Sequence, residues 1–106
     1  MNTIPRTVVA DDVSFRPGEF KRDFTMVEKL PAELKQRILD YMYTPPPGLV
    51  GDVRLIDPVT GVQYDHTSII RERDGFSWSS AVIYMFEHYD IRLSDEFLKL
   101  FENPDK

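Results

Sequence analysis

The stretch Asp74-Gly75-Phe76-Ser77-Trp78-Ser79-Ser80-Ala81-Val82-Ile83-Tyr84-Met85-Phe86-Glu87-His88-Tyr89 sets bulky apolar side chains beside the clearest helix signal of the chain. Ser77 or Ser79 can accept hydrogen bonds from the free amides of a following helical turn, so either fits an N-cap. Trp78, Val82, Met85, Phe86 and Tyr89 then recur at spacings of four, three, one and three, the pattern of a helix with one buried face. A stripe of that weight makes the helix the central packing element. Tyr84 and Glu87 lie off the stripe and are left for exposure.

Working outward, Asp90-Ile91-Arg92-Leu93 is a tight link, and Ser94 caps a last helix with Asp95 and Glu96 in its first turn. Phe97, Leu98, Leu100 and Phe101 supply the inner side of that helix, and Asn103-Pro104 ends it. Upstream, Arg71-Glu72-Arg73-Asp74-Gly75 alternates in charge and reads as a solvated break. Before it, Asp57-Pro58 opens a turn and Gly61 supplies the positive φ that closes a bulged hairpin between strands at Asp52–Ile56 and Val62–Asp65. Ser68 to Arg71 adds a third short strand, because a lone hairpin is marginal.

Leu30-Pro31-Ala32-Glu33 opens the first helix, since proline is tolerated where its missing N–H costs nothing and Glu33 complements the positive helix end. Leu34, Ile38, Tyr41 and Met42 mark its buried face to about Tyr43. Thr44-Pro45-Pro46-Pro47-Gly48 stops it and continues as a stiff, extended connector. Residues 1–29 show no sustained periodicity, with a turn at Arg16-Pro17-Gly18-Glu19 and a short strand near Thr7 to Ala10. The expected architecture is α+β: a partly ordered segment over 1–29, then a small single domain over 30–106. Three main helices pack there with a short antiparallel hairpin or three-stranded sheet.

The chain has 106 residues, enough for one core and too few for two domains. It has no cysteine, which removes disulfides, thiolate catalysis and cysteine metal sites and suits a reducing compartment. No stretch has signal-peptide or membrane-spanning character, so the expected location is the cytoplasm. Thirteen basic against eighteen acidic side chains give a net charge of −5, of which −4 falls on residues 54–106. Such a field repels phosphate backbones, which argues against nucleic acid; it would attract a basic protein partner, or simply keep the chain in solution.

Signals for chemistry are sparse. His66 and His88 fall in different elements, and neither has a second ligand at helical spacing. His66 beside Asp65 is a conceivable base with its orienting carboxylate, the core of a small-hydrolase reading. Ser77, Ser79 and Ser80 lack a glycine-flanked nucleophile elbow, and capping explains them. Asp52, Asp57, Asp65 and Asp74 surround the hairpin without the alternation of a calcium loop. The five glycines are scattered singly, so no phosphate-cradling loop is present. Neither a catalytic set, a metal site nor a cofactor is expected.

Arg73-Asp74-Gly75-Phe76-Ser77-Trp78-Ser79-Ser80, continuing through Ile83-Tyr84, Phe86-Glu87 and Tyr89 to Leu93 and then Asp95-Glu96-Phe97, resembles the tail of small immunity proteins from bacterial polymorphic toxin and contact-dependent growth inhibition loci. The resemblance covers about 30 residues. It implies a non-enzymatic inhibitor that binds and occludes a cognate toxin domain. Asp65, Glu72, Asp74, Tyr84, Glu87 and Asp90 are the candidate partner-binding residues, chosen by charge and expected exposure. The alternative is a general adaptor or accessory protein, homodimeric through the exposed part of its aromatic surface and without a toxin partner.

Overall fold

In the computed structural model, which describes residues 6–10, 25 and 29–102, Asp74 and Gly75 form a two-residue turn rather than a solvated break. Both have positive φ, 53° and 82°, as a type I′ hairpin turn requires. The turn joins strand β3 (Gln63–Arg73) to β4 (Phe76–Ser79), with Arg73 paired to Phe76 and Arg71 to Trp78. The charged run from Arg71 to Arg73 is therefore strand. The expected third strand at Ser68 to Arg71 is the second half of the same long β3.

Strand β2 (Leu49–Ile56) pairs antiparallel with β3 on the other side through the Asp57–Gly61 turn. Gly61 carries the expected positive φ of 76°, and the Asp57 amide donates to the Val62 carbonyl at 2.9 Å. Ladder register shifts twice between Asp52 and Ile56, bulging this outer strand. A further strand, β1 (Arg6–Thr7), joins β4 in parallel, so the sheet is mixed and four-stranded in the order β1-β4-β3-β2. Of the 1–29 segment, Val8 and Val9 belong to the core, while the turn expected at residues 16–19 lies outside the described residues.

Helix α1 (Ala32–Tyr43) occupies its expected span and buries Ile38, Leu39 and Met42, with Pro31 at the N-cap position. Helix α2 is shorter than expected, Ser80–Tyr89, because Trp78 sits on β4. Burial alternates along Phe76-Ser77-Trp78-Ser79, the two-residue period of a strand, and ladder bonds to β3 outcompete another turn of helix. Ser79 takes the N-cap position without a side-chain cap bond. Instead the Ser80 hydroxyl accepts from the Ile69 amide at 3.0 Å and donates to the Ile69 carbonyl at 3.3 Å, tying the start of α2 to β3.

Trp78 stays in the core despite this change of element. It is 3% exposed, its indole N–H donates to the Met42 carbonyl at 3.0 Å, and its ring lies against Tyr41 and Phe97. Phe97 comes from the short helix α3 (Asp95–Leu98), whose N-cap Ser94 accepts from the Phe97 amide as expected. A 3-10 turn, Lys99–Phe101, follows. Helices α1, α2 and α3 thus converge on the apolar side of Phe76 and Trp78. Among the described residues, no helix is long and apolar enough to cross a membrane.

Candidate functional site

The site begins at Asp57, which follows β2 and opens the hairpin turn. Its side chain is 3% exposed, yet it carries a carboxylate. Oδ1 accepts the amides of Val59 at 2.8 Å and Thr60 at 3.0 Å, the local turn bonds that favour aspartate at such a position. Oδ2 accepts the hydroxyls of Tyr84 and Tyr89, each at 2.6 Å. Burial pushes the Asp57 carboxyl pKa upward, but the two tyrosine hydroxyls and two amides together outweigh it and hold the group well below the usual carboxylate range.

The same bonds push Tyr84 and Tyr89 upward, Tyr89 to about 12, because a phenol donating to an anion resists losing its proton. The two tyrosines are five positions apart, about 140° round a helix. Both nevertheless reach one oxygen, Tyr84 from the middle of α2 and Tyr89 from its last residue.

Tyr84 also stacks on Tyr64 of β3, with ring centres 3.6 Å apart and planes 4° from parallel. The His88 ring centre lies 4.3 Å from that of Tyr84, its plane tilted by 36°. Burial and then the nearby charges of Asp57 and Asp65 push Tyr64 to about 12. Between β3 and α2, Tyr64 and Tyr84 border a cleft of about 230 Å³. Tyr43, Asp65, Arg71, Ser80 and Glu87 complete its polar and aromatic lining, and Ile69 and Ile83 its apolar part. Arg71 is held by its Nε donating to the Pro45 carbonyl at 3.0 Å and lies 5.9 Å from the Tyr43 ring centre. Burial and then Glu87 push the Tyr43 hydroxyl pKa upward.

Three of the six candidate residues, Asp65, Tyr84 and Glu87, therefore border one cleft, and the other three do not join them. Tyr84 is half-buried, and its hydroxyl is committed to Asp57. Asp90 is the left-handed C-cap of α2, with φ of 50°, and pairs with Lys35 at 2.7 Å. Lys35 also donates to the Glu87 carbonyl at 2.9 Å, so this pair closes the end of the helix. Asp74, in the β3–β4 turn, accepts the Tyr41 hydroxyl at 2.6 Å, which together with the larger effect of burial pushes Tyr41 upward. Glu72 is exposed on β3 opposite Ser77.

Sequence reasoning missed Tyr43 and Tyr64 as site residues, left Arg71 in a charge run that would only rim a binding surface, and treated Asp57 as turn chemistry alone. The turn accounts for only one of its two oxygens. His66 and Asp65 are both exposed, with Nδ1 4.0 Å from Oδ1, and that oxygen instead accepts the His66 and Thr67 amides. Among the described residues, no group of three or more His, Asp or Glu side chains is placed to hold a metal ion. The arrangement offers a fixed aromatic recess with two carboxylates and one guanidinium at its border, suited to recognising a charged, partly apolar group. No family model, curated protein or solved structure matches the chain.

Proposed function

We propose that this chain is a non-enzymatic protein-binding protein of immunity type, a cytoplasmic inhibitor that occludes a cognate basic toxin domain. The observation that carries this reading is the meeting of Asp65, Tyr84 and Glu87 at one cleft. Tyrosine is a favoured interface anchor, and the exposed carboxylates beside it complement a basic surface. The net charge of −5 speeds encounter with such a surface. Occlusion needs no covalent step and no cofactor.

Tagged protein purified from the cells that encode it is expected to bring down one basic protein in a 1:1 complex. Expression of that protein alone should arrest growth, and co-expression of this chain should relieve the arrest. Failure of the relief contradicts the proposal. A second reading, a homodimeric adaptor, is favoured by the aliphatic residues along the outer strand β2, where Leu49, Val50 and Val53 are 71%, 62% and 47% exposed. Light scattering that shows a stable dimer with no heterologous partner supports it instead.

A further inference from the structure

We infer that the cleft between β3 and α2 is a receptor for a single cationic side chain, an arginine in preference to a lysine, projected by the protein partner. This rests on the reading of the chain as a protein-binding inhibitor and gives that reading a point of contact. The cleft, about 230 Å³, lies below the range of drug-sized ligand pockets, roughly 300 Å³ and more, and suits one side chain. Its walls are fixed before any partner arrives. Tyr84 is held by its hydroxyl on Asp57 and by its stack on Tyr64, and Asp65 by two amides on Oδ1, which leaves Oδ2 for a ligand.

Charge selects the occupant. Asp65 and Glu87 outnumber Arg71, so the lining carries one net negative charge beside tyrosine rings, which favours a cation. Arg71 already sets a guanidinium 5.9 Å from the Tyr43 ring centre, an internal instance of the contact proposed for the ligand. Guanidinium is preferred to ammonium because its plane stacks on an aromatic ring while its edge bonds carboxylates. Arg71 is then a competitor. Removing it should strengthen binding, and removing Glu87 should weaken it.

The test is an amide chemical-shift titration of the full chain with N-acetyl-arginine amide, against N-acetyl-citrulline amide as the uncharged near-isostere. The expected result is saturable shifts at Asp65, Arg71 and Glu87 with the arginine probe and none with citrulline. Glu87→Gln, at an exposed helix position, should weaken binding by about threefold, and Arg71→Gln should tighten it by about threefold. Equal shifts from citrulline, or the opposite order of the two variants, would overturn the inference.

The protein complex separates this inference from the function on which it rests. A 1:1 toxin complex whose affinity is unchanged by both Glu87→Gln and Asp65→Asn overturns the cleft receptor and leaves occlusion standing. Seating of the arginine probe in a protein that relieves no toxicity supports the receptor and overturns occlusion.

Discussion

Trp78 and Asp57 are both 3% exposed and both connect elements distant in sequence, yet they hold the fold by opposite means. Trp78 is surrounded by rings and aliphatic chains and needs a single hydrogen bond, to the Met42 carbonyl, to satisfy its one polar group. Asp57 makes four bonds from its carboxylate and joins the hairpin turn to the far end of α2. The first is a dry core that tolerates little loss of volume. The second is a polar latch that tolerates little loss of a donor or of its charge, and through Tyr84 it borders the cleft.

Trp78→Ala should have the largest effect, about 4 kcal/mol of lost stability in chemical denaturation, because a cavity opens where α1, α3 and β4 meet. Asp57→Ala should follow at about 3 kcal/mol, since it strands two tyrosine hydroxyls and two amides. A result near zero for Asp57→Ala would dissolve the contrast between core and latch.

The latch should also show itself in pH. The folded Asp57 pKa is depressed, so its contribution is fully present above the unfolded value near 4 and is lost as pH falls toward the folded one. The stability gap between wild type and Asp57→Asn should therefore narrow below about pH 4. At the other extreme Tyr89 is raised to about 12, so its contribution is present below about pH 10 and is lost as pH rises from there through 12.

Tyr84→Phe and Tyr89→Phe should each cost about 1.5 kcal/mol in the same denaturation measurement. Because they share one oxygen, the double variant should depart from additivity, and independent effects would mean that the carboxylate does not link them. Val50→Thr on the outer strand should change stability by no more than about 0.5 kcal/mol, the smallest effect of the series.

The two regions were unequally legible. The weight of Trp78, Val82, Met85, Phe86 and Phe97 announced a core, and all five are buried together. Helical spacing nevertheless placed Trp78 on α2, because four residues of strand are too few for alternation to outweigh a continuing helical pattern. Asp74-Gly75 carried the stronger signal, a two-residue hairpin turn, and the charges around it concealed the strand. The proline boundary of α1, the Gly61 turn and the Ser94 cap were readable because each depends on local backbone chemistry.

The latch was not readable in that way. Asp57 precedes Pro58, so its turn role is visible locally; nothing local says that tyrosines 27 and 32 positions later donate to its second oxygen. Charge and expected exposure found Asp65, Tyr84 and Glu87, but could not distinguish them from Asp74 and Asp90, whose carboxylates serve a turn and a helix end. Tyr43, Tyr64 and Arg71 reach the cleft only through the pairing of β3 and its packing against α2.

That the latch shapes the recognition cleft is tested most directly by the dissociation constant of N-acetyl-arginine amide for wild type, Asp57→Asn and Trp78→Phe, each measured where the protein is folded. Asp57→Asn should bind several-fold more weakly, because Tyr84 loses its charged acceptor, while Trp78→Phe should match wild type. Wild-type affinity in Asp57→Asn, or an equal loss in both variants, would contradict the assignment.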